Sequence, residues 1–270
     1  MSYSARILAD SIAPCGVRLT TFQVTFPRFI LAEWNTHRAL SRNAASSRAI
    51  PVRKLLEQVE QNPFVPEHWG VNEPGMQATR DMAPEDAADA RATWLQARDA
   101  ACDHARVLMS LGAHKQLANR LLEPFMWATV IATATEWSNF YLLRCHHDAQ
   151  PEFRRIACLM RELHAMHRPQ QPEGPGPALH LPMVPDLDQL AHEYDLEQIQ
   201  RISAARCARV SYLTHDGQRS PRADLELADR LESSGHLSPF EHPCEGSATI
   251  TRSANLVGWR SYRHRIEAKR

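Results

Sequence analysis

Thirteen consecutive residues, Thr36-His37-Arg38-Ala39-Leu40-Ser41-Arg42-Asn43-Ala44-Ala45-Ser46-Ser47-Arg48, crowd cations, hydroxyls, an imidazole and an amide between short apolar runs. Such a segment is equipped to hold phosphate. Arginine offers a planar fork of donors that matches phosphate oxygens, serine and asparagine add short hydrogen bonds, and small side chains let a ligand approach the backbone. A plainer reading stays open beside it, in which Ser and Asn cap helix ends and the arginines are solvated.

Other constellations offer chemistry of their own. His236-Leu237-Ser238-Pro239-Phe240-Glu241-His242 packs two imidazoles and a carboxylate around a Pro-fixed turn, as a ligand-contacting loop or as a structural or solvent-exposed one. Cys145-His146-His147-Asp148 has the residue types of a metal cluster, but successive helix positions diverge by about 100°, so no shared ion is expected. His164 and His167 share a helix face without a third ligand at a recognisable spacing, and no metal is expected there either. Arg120 and Arg144 stand in apolar surroundings and need either an internal carboxylate or an anionic ligand.

Positioning these groups falls to a chain of 270 residues, 43% apolar, long enough to bury a core in one domain or two closely associated ones. Formal net charge is zero, so no global basic field calls for nucleic acid or a membrane surface, and any anion site must be local. The opening residues lack the apolar core of a secretion signal, and no run of about 18 apolar residues is found, so a cytoplasmic protein is expected. Cys15, Cys102, Cys145, Cys158, Cys207 and Cys244 form no CxxC pair, as expected of free thiols in a reducing compartment.

Three blocks follow. In residues 1–167, the period-two pattern of 17–26, with Phe22, Val24 and Phe26 on one face, predicts a strand stopped by Pro27. A short helix over 28–35 and another over 52–61 follow, and the Ala/Leu/Arg-rich stretch 86–167 predicts two or three long helices. Residues 168–186 begin with a proline-rich run and read as a linker. Block 187–270 predicts helices over 187–205 and 222–233 and a strand over 246–252. No glycine pattern forms a P-loop or dinucleotide fingerprint.

Residues 37–48 resemble the signature of flavin-dependent thymidylate synthases: Arg-His-Arg, two residues, Ser, one residue, Asn, two residues, Ser, one residue, Arg. Arg120-Leu121-Leu122-Glu123-Pro124, Asn139 to Arg144 and Ala149-Gln150-Pro151-Glu152 are similar to that family's later blocks. Ala204 to Ser211, the helix around Leu225 to Leu231 and Gly235 to His242 are similar to its opening block. Here that block comes last, so the resemblance implies a circular permutation whose joint lies near 168–186, with block 187–270 completing the same domain. A second Arg263-His264-Arg265 fits the family's spacing from that block, as if a duplication had been trimmed.

The resemblance implies an α+β fold, an antiparallel or mixed sheet flanked by long helices, assembled as a homotetramer with shared active sites. It implies reductive methylation of dUMP to dTMP, with methylenetetrahydrofolate as one-carbon donor and FAD reduced by NADPH. By position, Ser46, Ser47, Arg48, Arg120 and Glu33 would line the nucleotide, Arg144 and Arg48 would be catalytic, and His37, Arg38, Asn43, Asn139 and His242 would border the flavin. No nucleic-acid or membrane partner is implied. Thr36, Ala44, Ala49 and Glu33 depart from the signature, as does Thr133-Ala134-Thr135 where the family places Asn-x-Arg. These departures leave open a flavin-dependent methylase or hydroxymethylase of another pyrimidine deoxynucleotide, dCMP included, and a non-catalytic nucleotide-binding relative.

Overall fold

The computed structural model describes residues 2–172, 178–211 and 220–269. Four strands, β1 (Ser4–Ile12), β2 (Arg18–Pro27), β3 (Ser41–Ala44) and β4 (Trp127–Ala134), form an antiparallel sheet in the order β1-β2-β4-β3. Side-chain alternation gives this sheet two unlike faces. On one, Phe22, Val24 and Phe26 of β2 lie beside Val130, Ala132 and Ala134 of β4, all fully buried. On the other, Thr21 opposes Thr133 and Thr25 opposes Thr129, each pair joined through its hydroxyls.

The apolar face is covered by α1 (Leu31–Trp34), which a single 3-10 turn joins to β2, and by two later helices. Between them come α2 (Val52–Gln61), α3 (Pro84–Ser110) and α4 (Lys115–Ala118), and then α5 (Ser138–Arg144) and α6 (Pro151–Met166). Trp34, Trp137, Phe140, Phe153, Ile156 and Met160 close this core against the sheet. Burying each phenylalanine contributes about 1.5–3 kcal/mol. Val52, Leu55, Leu56 and Val59 of α2 recur at helical spacing and pack with Cys102 and Ala105 of α3 and with Leu122 and Phe125 in a second core.

The threonine face receives the C-terminal block. Strand β5 (Leu179–His180) leads to α7 (Leu187–Leu190), α8 (Leu196–Ala208) and α9 (Pro221–Ser233), then to β6 (Cys244–Gly246). A two-stranded hairpin of β7 (Arg252–Ser253) and β8 (Leu256–Val257) precedes β9 (Trp259–Ser261) and α10 (Tyr262–Ala268). β5, β6 and β9 form a second antiparallel sheet. Met183, Cys207 and Val210 pack on Ile131 of β4.

Several expectations are corrected. Residues 127–134 are the interior strand β4, not helix, and β1 was not foreseen. The helix over 187–205 is two, because Asp195 starts a new one through a capping box with Gln198. The strand over 246–252 is split, ending at Gly246 and resuming only at Arg252. Of the stretch read as a linker, 173–177 lie outside the described residues, while Ala178, His180, Leu181 and Met183 are buried.

Candidate functional site

The signature segment turns out of α1, enters β3 and leaves through Ala45, whose N–H donates to Thr129 O at 2.8 Å. Arg42 closes the turn, its Nε and Nη2 donating to Asn35 Oδ1 and O, both at 2.9 Å, and its Nη1 to Leu40 O at 2.9 Å. This cation is therefore spent on the turn itself, on the Asn35 side chain and on backbone carbonyls. His37 packs edge-on against Phe140 and Phe153. From the end of α5, Arg144 donates through Nε to His37 Nε2 at 2.8 Å, pairs with Glu33, and lays its guanidinium 4.5 Å from the Phe153 ring centroid. Burial, then the charges of Arg144 and Arg42, push the His37 pKa down to about 4. His37 is thus neutral at pH 7, with Nε2 accepting and the proton on Nδ1.

Beyond β3, Ser47 is buried and its hydroxyl donates to Glu123 Oε1 at 2.8 Å. Glu123 also meets Arg28 and Arg120, each at 2.9 Å. Burial raises its pKa, but the Ser47 hydrogen bond and Arg28 outweigh this and hold the carboxyl below its ordinary value. Asn119, fully buried, donates through Nδ2 to Ser47 O at 2.7 Å and Ile50 O at 2.9 Å, and Lys115 Nζ donates to Ala49 O at 3.1 Å. The backbone of residues 47–50 is thereby fixed, and Arg48 projects from it exposed, with no side-chain partner among the described residues. Ser46 is half-buried beside it. Asn119→Ala strips donors from two carbonyls and should cost about 2 kcal/mol, read as a lowered urea midpoint; an unchanged midpoint would show the clamp is idle.

His242 lies beneath the threonine face, fully buried, its Nδ1 2.8 Å from Thr133 Oγ1 and its Nε2 without a partner among the described residues. Ser41 opposes Thr133 across the β3–β4 pair and Asn43 opposes Ile131, so Asn43 sits on that same face, half-buried. Arg38 and Asn139 are exposed and, among the described residues, free of side-chain partners. The predicted residues therefore fall into three groups: Glu33, His37 and Arg144; Ser46, Ser47, Arg48 and Arg120; and Asn43 and His242. Sequence reading missed Glu123, Asn119 and Phe153 as the groups that hold the first two, and Thr133 as the partner of the third.

Remaining candidates resolve structurally. His164 bonds Thr20 and His167 bonds Asp10 at 2.8 Å, in a cluster that Arg18 completes. His146, His147 and Asp148 do converge, with ligand atoms within 4.8 Å of one another. The expected divergence fails because α5 ends at Arg144 and the three occupy a turn. Exposed and paired with one another, the two imidazoles lie 3.4 and 3.1 Å from Asp148. In the second Arg-His-Arg, Arg263 pairs with Glu241 and Glu267, and Arg265 with Glu245.

The geometry defines an α+β protein with an exposed arginine, Arg48, on a clamped segment after β3 and a caged one, Arg144, at the end of α5, groups suited to an anionic ligand. The chain belongs to the thymidylate synthase complementing protein family, whose model matches residues 17–170, from β2 through α6. That bears out the resemblance drawn from the signature run. Two crystal structures of PolB from Streptomyces cacaoi, a UMP/dUMP methylase bound with 5-Br UMP in one and 5-Br dUMP in the other, share the fold. Both have a TM-score of 0.51 and 16% identity over 61% of this chain, and over 89% and 90% of theirs. Among curated proteins none matches the sequence.

Proposed function

We propose that this protein is a flavin-dependent thymidylate synthase. It would convert dUMP, methylenetetrahydrofolate, NADPH and a proton to dTMP, tetrahydrofolate and NADP⁺. The observation that carries the reading is the Arg144 cage, a guanidinium held by Glu33, His37 and Phe153, in a chain of this family that also carries the phosphate-type segment 46–48. Arg48, without a side-chain partner among the described residues and set on a clamped backbone, binds the nucleotide phosphate with Ser46 and Ser47. Arg120, already bound to Glu123, adds charge behind them. Arg144 polarises a ring carbonyl of the base and stabilises negative charge as C5 attacks.

The residues fit a flavin. Among the described residues, His242 keeps a buried, unmet Nε2 on the face that carries Asn43, and Arg38 is an unpaired cation next to His37 in the chain. A hydrogen-bonding ring edge and a diphosphate need donors and acceptors of that kind. FAD, when bound, supplies the hydride chemistry, while the protein's groups bind and orient. Exposed Arg38 and Asn139 suit a site completed by another copy of the chain, in a homotetramer with shared active sites. His242 bonded to β4, next to β3, supports the permuted order, because the last block of the chain comes back to the signature strand. The working compartment proposed is the cytoplasm; among the described residues no helix is long and apolar enough to cross a membrane.

A second reading is favoured by Glu33, which neutralises Arg144 and changes the charge facing the base. It keeps the flavin and alters the product, to a methylated or hydroxymethylated pyrimidine such as that of dCMP. Anaerobic reduction of the FAD-loaded protein by NADPH, with dUMP or dCMP and folate present, followed by product analysis, separates the readings. Formation of dTMP, with kcat/KM about 100-fold lower in both Arg48→Ala and Arg144→Ala, is the expected result. A folded protein that binds no FAD would point to a non-catalytic relative.

A further inference from the structure

Five buried side chains from both ends of the chain join in one line across the threonine face. Ser11 Oγ lies 3.1 Å from His180 Nδ1, and His180 Nε2 lies 2.7 Å from Thr21 Oγ1. Thr21 Oγ1 lies 2.6 Å from Thr133 Oγ1, which lies 2.8 Å from His242 Nδ1. All are at most 3% exposed, so water does not complete their bonding from outside.

Each threonine hydroxyl in the line has two partners, one proton and two lone pairs, so when its proton is bonded within the line it donates to one partner and accepts from the other. If Thr21 donates to Thr133, it must accept from His180 Nε2–H, and Thr133 must donate to His242 Nδ1. Both rings then carry their proton on Nε2. If Thr133 donates to Thr21, it accepts from His242 Nδ1–H, and Thr21 donates to His180 Nε2; both rings then carry the proton on Nδ1. The two arrangements contain the same protons, and a mixed pair of neutral rings is reached only if one threonine oxygen accepts from both neighbours, which leaves its own buried hydroxyl proton without an acceptor in the line. Burial keeps both rings neutral, with pKa values pushed down to about 3.

We infer that His180, Thr21 and Thr133 are positioning residues for His242, a hydrogen-bonded relay that locks the two imidazoles into the same tautomer. The consequence falls on His242 Nε2, the atom left unmet at the end of the line. In one arrangement it presents a donor, in the other an acceptor, and the choice is shared with His180. The part of this that concerns ligands rests on the proposal that His242 borders the flavin. Ring tautomers are set by the partner of the opposite nitrogen, and here that partner is set by a second histidine brought in by β5.

Two-bond ¹H–¹⁵N correlation spectra of histidine-labelled full-length protein near neutral pH distinguish the two neutral tautomers and the imidazolium. His180 and His242 are expected in the same neutral form. Thr133→Val should shift at least one ring's nitrogens by uncoupling the pair, whereas Thr133→Ser, which keeps the hydroxyl, should retain matched tautomers. Opposite tautomers in the wild type, or a Thr133→Val spectrum unchanged at both rings, would overturn the relay; if that variant does not fold, the wild-type and Thr133→Ser comparison decides. Added FAD should move the His242 resonances in the wild type, with His180 following when the tautomer changes. Matched tautomers with no response to FAD would support the relay and refute the flavin contact.

Discussion

Titrated downward from neutrality, the protein is expected to lose stability steeply below about pH 6.5, at roughly 5 kcal/mol per pH unit near pH 5. Four imidazoles drive this. Burial is the largest cause of each shift, and it pushes the pKa of His37 and His164 down to about 4 and of His180 and His242 to about 3. In the unfolded chain all four take up protons near pH 6.5, while in the folded chain they stay neutral. Between those limits the unfolded state binds more protons, so stability rises with pH and is lost on acidification, by about 1.4 kcal/mol per unit for each ring. The window runs from 6.5 to about 4 for the first pair and on to about 3 for the second. Asp10 adds to the loss at the acid end. Burial alone would raise its pKa, but bonds from Arg18, Thr20 and His167 outweigh burial and lower it, so its contribution vanishes as it protonates. Against a total stability of about 5–15 kcal/mol, this unfolds the chain near pH 5. Urea midpoints between pH 7.5 and 4.5 test it; a midpoint flat from 6.5 to 5 would mean that these rings are not buried neutral.

What the sequence made legible follows physical locality. α2 was readable to the residue, its Val52, Leu55, Leu56 and Val59 marking one helical face, whereas α9, expected over 222–233, starts one residue earlier at Pro221, where Ser220 caps it. β4 was hidden, since Ala128-Thr129-Val130-Ile131-Ala132 is an apolar run buried on both faces, where period two and period 3.6 look alike. The phosphate-type segment could be read from its own side chains, but its anchor could not. Ser47 and Glu123 are 76 positions apart, and Thr21 and His180 are 159 apart. Nothing local marks Glu123 as a carboxylate that will hold a backbone turn in place. Arg144 shows the intermediate case: its apolar surroundings called for an anionic partner, and the fold supplied Glu33, a departure from the signature visible in the sequence but unreadable as a partner.

Arg206→Ala should destabilise the protein by about 3–5 kcal/mol, because it breaks a buried charge cluster from one side. Arg206 is 1% exposed and ties α8 to its neighbours: Nε donates to Asp224 of α9 at 3.0 Å, Nη1 to Asp186 at 2.6 Å and to Met183 O at 3.1 Å. Asp224, itself fully buried, keeps among the described residues only the Arg209 ion pair at 2.8 Å after the change, and the Met183 carbonyl loses the Arg206 hydrogen bond. Removing both charges with apolar residues, as in Arg206→Met with Asp224→Leu, should cost markedly less than the single change, since no buried carboxylate is then left short of partners. The distinction bears on the site. Ala204 and Ala205 of α8 pack with Phe240, two residues before His242, so α8 seats the turn that delivers that imidazole to the sheet. A cluster serving only to fill space would give equal losses for the single and double variants in urea titration. One that fixes α8 against α9 would show the larger loss in Arg206→Ala, with the His242 resonances broadened in that variant and sharp in the double one.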